Sequence, residues 1–159
     1  MNIRPVKESD IEFLFNLRNE PTVRHLSFNS DPIDFSTHKK WFQSKFTDKN
    51  TFIFICEEID EKIGQIRYDL DLDKNSAEVS IAILDSKRNH GFGTELLKKG
   101  SRIILQQNKS LKLIAHIKPE NLSSIRAFSK AGFKDKGFVN YKGNNCIEMI
   151  FDIGIKHSK

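Results

Sequence analysis

A chain of 159 residues, 38% hydrophobic and 30% charged, can form one domain burying about two-thirds of its unfolded surface, with no need of disulfide or metal staples. Its +5 formal charge is spread among nearly as many acids, 26 Lys and Arg against 21 Asp and Glu, which describes a solvated surface rather than a nucleic-acid-binding face. Cys56 and Cys146 lack any CxxC or Cys/His pairing, no signal-peptide core follows Met1, and no apolar run nears the roughly 20 residues of a membrane span; metal, redox and membrane classes drop out, and a cytoplasmic setting is expected.

In chain order, residues 2–6 predict a short strand. Ser9-Asp10-Ile11-Glu12 reads as a capping box opening a helix that carries Ile11, Phe13, Leu14, Phe15 and Leu17. Residues 23–34 are expected to be irregular, and a second helix starts near Ser36 with His38, Trp41, Phe42 and Phe46. The period then changes: residues 51–56 are rich in β-formers, and residues 62–71 return after an acidic turn as the second arm of a hairpin. Residues 75–84 give another strand, 93–107 a helix, 111–118 a strand, and 122–131 a helix stopped by Gly132. A hairpin of residues 133–140 and 145–153 turns at Lys142-Gly143-Asn144. The order βααβββαβαββ, without repeat or linker, predicts a single α/β domain over residues 1–159, a mixed sheet with helices on its faces.

The loop Arg88-Asn89-His90-Gly91-Phe92-Gly93-Thr94 lies between a predicted strand and a predicted helix. A helix N-terminus presents unpaired N–H groups and partial positive charge, glycines let a phosphate approach the backbone, and Lys87 and Arg88 add cations. The plain alternative is a tight turn that needs glycine at positive φ. Neither the GxxxxGK[ST] loop nor the third glycine of GxGxxG is present, which argues against ATP and NAD.

Arg88-x-x-Gly91-x-Gly93 resembles the R/Q-x-x-G-x-G/A signature of the GNAT N-acetyltransferase superfamily, and Asn121 to Phe133 resembles its N-x-x-[AS]-I-x-x-[YF]-x-K-x-G-F segment. The resemblance implies the GNAT acyl-CoA fold, mostly antiparallel, with acetyl-CoA as co-substrate and no metal. It implies that Ile81, Ala82 and Ile83 offer main-chain groups to pantetheine and that residues Arg88, Asn89, His90, Gly91, Phe92, Gly93 and Thr94 hold the pyrophosphate. Asn121 would bond the pantetheine arm, with Ser124, Phe128 and Lys130 beside the cofactor.

Acetyl transfer needs a neutral amine and a proton for the leaving thiolate. Many members of the family use a glutamate on the strand before the loop, which makes Glu78 the candidate base; a solvated strand carboxylate is the plain alternative. The position commonly occupied by a tyrosine acid is Phe128, which cannot donate a proton. The remaining donors are Tyr141, Tyr68, Ser129 and His116; Tyr141 is carried as the candidate, and His116 reads as a structural histidine.

For the acceptor, the arrangement of Arg18, Asn19, Arg24, Asn29, His38 and Trp41 resembles the GNAT subgroup that acetylates the 4-amino group of nucleotide-linked amino sugars, as in pseudaminic-acid synthesis. The arginines would meet a diphosphate, Trp41 or Phe28 would stack on a base or sugar ring, and Asn19, Asn29 and His38 would bond hydroxyls. Trp41, Phe42 and Phe46 at helical spacing also fit core packing, and Arg24 a surface cation. Similar patterns in ribosomal-protein N-terminal acetyltransferases keep a peptide acceptor open, and Phe128 keeps open a catalytically silent acyl-CoA-binding domain. A two-fold homodimer is the expected assembly.

Overall fold

The computed structural model describes residues 1–153. Strand β1 (Asn2–Pro5) leads through a 3-10 turn into α1 (Ile11–Asn19), α2 (Pro21–Leu26) and α3 (Phe35–Phe46). Strands β2 (Thr51–Glu58), β3 (Glu61–Asp71) and β4 (Ser76–Ile83) follow. After them come α4 (Phe92–Gln107), β5 (Lys112–Ile117), α5 (Leu122–Lys130), β6 (Lys134–Tyr141) and β7 (Asn144–Phe151).

Two expectations for the N-terminal region are corrected. Ser9 caps nothing; it lies in the 3-10 turn Glu8–Asp10, where Asp10 does the work. The fully buried Asp10 carboxylate accepts the Lys7 N–H at 2.8 Å and the Arg4 guanidinium through both oxygens at 2.8 and 2.9 Å, and pairs with Lys62 at 2.8 Å. An ionised carboxylate gathers several charge-assisted bonds where a serine hydroxyl gathers one or two. Residues 23–34 are also not wholly irregular, because α2 runs to Leu26. Pro21 at its first turn supplies a helical φ in advance, and six residues are too few to show an apolar period.

The seven-stranded sheet has the order β1-β2-β3-β4-β5-β7-β6. Every neighbouring pair is antiparallel except β4–β5. On one face α4 and α5 cover a core of Ile66, Tyr68, Val79, Leu96, Leu97 and Phe128; on the other Leu14 of α1 and Phe42 of α3 close over Ile55. Gly100 of α4 makes room for the buried Tyr68: a Cβ there would stand 2.6 Å from the phenol oxygen, which reaches Ser101 Oγ at 3.2 Å.

The feature that positions a site is the parting of β4 and β5. They pair in register only from Ser76–Lys112 to Glu78–Ile114, although β4 continues to Ile83 and β5 to Ile117. Beyond Glu78 one edge of β4 has no strand neighbour, so its backbone donors and acceptors are left for something else to satisfy. The parted ends form a wedge roofed by the start of α4 and by α5.

Candidate active site

The wedge holds a cleft of about 440 Å³. Its floor is Ile81, Ala82 and Ile83, one wall is the loop and first turn of α4, and the other is α5. The loop backbone turns on Asn89 at φ 63° and Gly91 at φ 80°, the left-handed region that favours glycine and asparagine. Gly91 is the N-cap of α4 and has no side chain to cap with, whereas Asp34 and Asn121 cap α3 and α5. The N–H groups of Phe92, Gly93 and Thr94 therefore lack the partners that the other two helices supply. Around them Arg88, Arg126 and Lys130 form no ion pair among the described residues, while Lys87 is held by Glu61 at 2.9 Å. Unpaired donors, a helix dipole and three free cations make an anion cradle.

A second cavity of about 410 Å³ lies on the opposite face and shares Ile81 and Ala82 with the first. Gln65 and Arg67 of β3 and Ser80 of β4 form its sheet side; Arg18, His38 and Trp41 project from the helices. Arg18 donates one Nη to the Asn29 carbonyl at 2.8 Å, and its Nη1 is buried with no partner. Burial, with the nearby Arg24 charge, pushes the Arg18 guanidinium below its ordinary value. No carboxylate lines this cavity.

At the root of the wedge, beside the second cavity, Glu78 Oε1 accepts the Tyr141 hydroxyl at 2.5 Å. The Tyr141 ring stacks on His116 with centroids 3.9 Å apart and 9° between planes, and Phe28 packs against its edge at 5.8 Å. Burial first, then the hydrogen bond and charge of Glu78, raise the Tyr141 phenol well above its ordinary value, so it keeps its proton as a donor.

The family model described as an acetyltransferase (GNAT) domain matches residues 1–134. The chain belongs to the GNAT acetyltransferase family. It is an N-acetyltransferase with acetyl-CoA as co-substrate, and the wedge cleft has the donors and cations that a pyrophosphate requires.

Solved structures share this GNAT fold. AAC(6')-Ib in complex with paromomycin and acetyl-CoA is 18% identical, with 96% of this chain and 93% of that chain covered and a TM-score of 0.84. A ribosomal-protein-alanine N-acetyltransferase from Brucella melitensis is 20% identical, with 96% and 100% covered and a TM-score of 0.81. The spermidine N-acetyltransferase from Vibrio cholerae, with CoA and spermine, is 19% identical, with 94% of each chain covered and a TM-score of 0.82. No curated protein matches the sequence. None of these three structures is described with a nucleotide-linked sugar.

Of the residues expected around the GNAT co-substrate, Ile81, Ala82, Ile83, Arg88, Asn89, Gly91, Phe92, Gly93, Thr94, Ser124 and Lys130 line the wedge cleft. Three do not. His90 turns out to solvent, its Nδ1 2.7 Å from the Arg88 carbonyl. Asn121 spends its side-chain oxygen on the Ser124 N–H as the cap of α5. Phe128 is 2% exposed in the core, 4.9 Å edge-on to Phe133. The reason is local: α5 ends in a Schellman turn, with Gly132 at φ 101° and the Phe133 N–H bonded to the Phe128 carbonyl, and that turn brings the two rings together. A tyrosine hydroxyl pointing into that contact would need a partner of its own. Ser123, Arg126 and Ala127 also line the cleft and were not anticipated. With Lys130 they recur at helical spacing, one face of α5, a signal readable from sequence.

Of the expected acceptor residues, Arg18, His38 and Trp41 line the second cavity, and Asn19, Arg24 and Asn29 do not. Asn19 donates to the Ile33 carbonyl and accepts its N–H, and Arg24 donates to the carbonyls of Asn19 and Ser30. Asn29 accepts the Asp31 N–H. These three fasten the segment after α2 instead of facing a ligand. His38, 2% exposed, donates Nε2–H to the Ile11 carbonyl, and burial lowers its pKa, so it stays neutral. One face of Trp41 already carries a cation, the Arg67 guanidinium 5.2 Å from the ring centroid. Arg67, Gln65 and Ser80 were missed because strand alternation shows which residues share a face but not which face borders a cavity. Tyr68 is locked in the core and Ser129 is exposed outside both cavities, which leaves Tyr141 and His116 of the four donors considered. Among the described residues no cluster suited to a metal is present, and no helix is long and apolar enough to cross a membrane.

Proposed function

We propose that this chain acetylates the primary amine of an acceptor that also carries an anionic group, with a nucleotide-linked amino sugar as the class. The observation that carries the reading is Arg18 in the acceptor cavity: its Nη1 is buried without a partner and no carboxylate lines the cavity, whereas Arg67 beside it is already paired with Asp69 at 2.7 Å. A guanidinium nitrogen buried without a hydrogen-bond partner is costly, and a phosphate oxygen would satisfy it. A polycation such as an aminoglycoside or polyamine would add to the repulsion.

In this reading the amine enters from the second cavity and meets the thioester near Ile81 and Ala82, where the two cavities join. Glu78, on the same face of β4 as Ser80, removes an ammonium proton to free the nucleophile's lone pair. Tyr141 orients that carboxylate. The paired Glu78 and Tyr141 also weigh against a catalytically silent domain, since a mere cofactor-binding fold has no need to aim a phenol at a strand carboxylate.

The test is a thiol-release screen with acetyl-CoA and a panel of UDP-linked 4-amino sugars, an aminoglycoside, spermidine, and peptides with free N-termini. Release with the nucleotide-linked sugars is expected. Release with spermidine or a peptide, and none with the sugars, overturns the proposal.

A further inference from the structure

We infer that His116, held by Glu148, is a proton-relay residue standing behind Glu78. The inference rests on Glu78 being the base and assigns where the proton goes next.

His116 lies on β5, where that strand begins to part from β4. Its Nε2 stands 3.1 Å from Glu148 Oε2 on β7, in the antiparallel register that pairs the two residues. A carboxylate can only accept, so in the neutral imidazole Nε2 carries the hydrogen and Nδ1 is a bare lone pair. That Nδ1 is buried and has no hydrogen-bond partner. It faces Glu78 Oε1 at 3.6 Å, just beyond hydrogen-bond reach. Two acceptors facing each other across a short gap repel. A proton on Nδ1 would turn the gap into an N–H donor facing a carboxylate, so the cluster has a place for one proton.

The surroundings suit that charge. Glu78 of β4 and Glu148 of β7 flank the ring, the electron-rich face of Tyr141 from β6 stacks on it, and the buried Cys146 thiol of β7 stands near both carboxylates. From β3, Asp69 and Arg67 act on the same cluster with opposite signs and are themselves paired at 2.7 Å.

The acceptor ammonium gives one proton to Glu78; the new carboxyl O–H bond breaks as that proton passes to His116 Nδ1. The freed nitrogen pair forms the N–C bond with the thioester carbonyl, the C–S bond breaks with its pair leaving on sulfur, and a second proton from nitrogen ends on the thiolate. The relay proton returns through Glu78, whose side chain is 38% exposed, to solvent. The products are the amide, the free thiol of CoA and one proton.

Two measurements test the relay. Nitrogen-15 NMR of His116 in the intact protein is expected to show the Nε2–H tautomer when neutral, with Nδ1 taking the proton on acidification; an Nδ1–H tautomer, or an imidazolium persisting from about pH 6 to pH 9, overturns it. In the second, His116→Gln keeps a donor for Glu148 but has no titrating nitrogen. With any amine that the enzyme turns over, kcat is expected to fall about 10- to 100-fold with the KM for acetyl-CoA unchanged, and the acidic limb of the kcat profile to move. An unaltered kcat and limb sink the relay. A screen that finds a different acceptor counts against the nucleotide-sugar reading alone, and the NMR arm needs no acceptor.

Discussion

Glu78 serves one neighbour as acceptor and, in the proposed chemistry, another as base; the roles can be separated by substitution. Glu78→Gln keeps the shape and loses the basicity, and kcat/KM is expected to drop about 10²- to 10³-fold at neutral pH. Tyr141→Phe removes only the bond that aims the carboxylate, so a loss of about tenfold is expected. Because burial and the Glu78 charge raise the Tyr141 phenol, its donor persists on the alkaline side; wild-type kcat/KM should show no fall from tyrosine ionisation below about pH 10, and one there would contradict this placement. At Asp10 the effect is on stability. Burial alone would push its carboxyl up, but the bonds from Arg4, Lys62 and the Lys7 N–H outweigh that and hold it well below the usual carboxylate range. A depressed carboxyl stabilises the fold above its unfolded pKa of about 3.9 and loses that contribution as pH falls through the folded value. Asp10→Asn should cost about 2–3 kcal/mol in urea melts at pH 7 and flatten the loss of stability below about pH 4, since it removes the carboxylate that Lys62 pairs with and leaves Arg4 with Glu57 alone. The sequence offered Glu78, Tyr141 and His116 one by one but not their meeting, and nothing of the Asp10 cluster, because Asp10 with Lys62, and Glu78 with Tyr141 and His116, lie far apart along the chain and meet only through the fold.

Helix α4 shows what local sequence does encode. Its first turn is uncapped because Gly91 is the N-cap, and Gly91 adopts φ 80° with nothing within 4 Å of where a Cβ would sit. A substitution there meets conformational strain and no clash. Gly91→Val should cost about 1–2 kcal/mol and weaken acetyl-CoA binding at least about tenfold, read by thermal shift and titration calorimetry. Gly91→Asn, which tolerates the left-handed region, should recover most of the stability; equal damage from both would place the effect in the side chain's bulk instead. This loop was readable because its determinants, a strand end, two glycines and a helix start, are contiguous. Helix α5 was half readable: its Gly132 stop was expected, but Phe128 was placed by family pattern beside the cofactor while its Schellman turn folds it onto Phe133 in the core. Helix α2 escaped notice since Pro21 and a single turn carry no periodic signal.

At the scale of the molecule, the parted strands let two cavities reach one point from opposite faces of the sheet, and both are cationic. Arg88, Arg126 and Lys130 line the wedge cleft, and Arg18 and the Asp69-paired Arg67 line the second cavity, within a chain of net charge +5. The order of the strands and of every helix but α2 followed from periodicity; the sign of the second cavity did not, because it depends on Arg18 and on which positions scattered over α1, α3, β3 and β4 line it. That sign makes ionic strength a discriminating variable. Attraction between a cationic cleft and an anionic ligand is screened over about 8 Å at physiological salt. With acetyl-CoA saturating, kcat/KM for a nucleotide-linked amino sugar should fall by roughly tenfold as salt rises from about 0.02 M to about 0.5 M. A polycationic amine is repelled by the same field, so its kcat/KM should hold or rise over that range. Arg18→Gln should flatten the anionic acceptor's slope by removing the cation whose Nη1 has no partner, while leaving the salt dependence of acetyl-CoA binding unchanged because Arg18 lies outside that cleft. If both salt dependences changed together, the two cavities would be acting as a single electrostatic site.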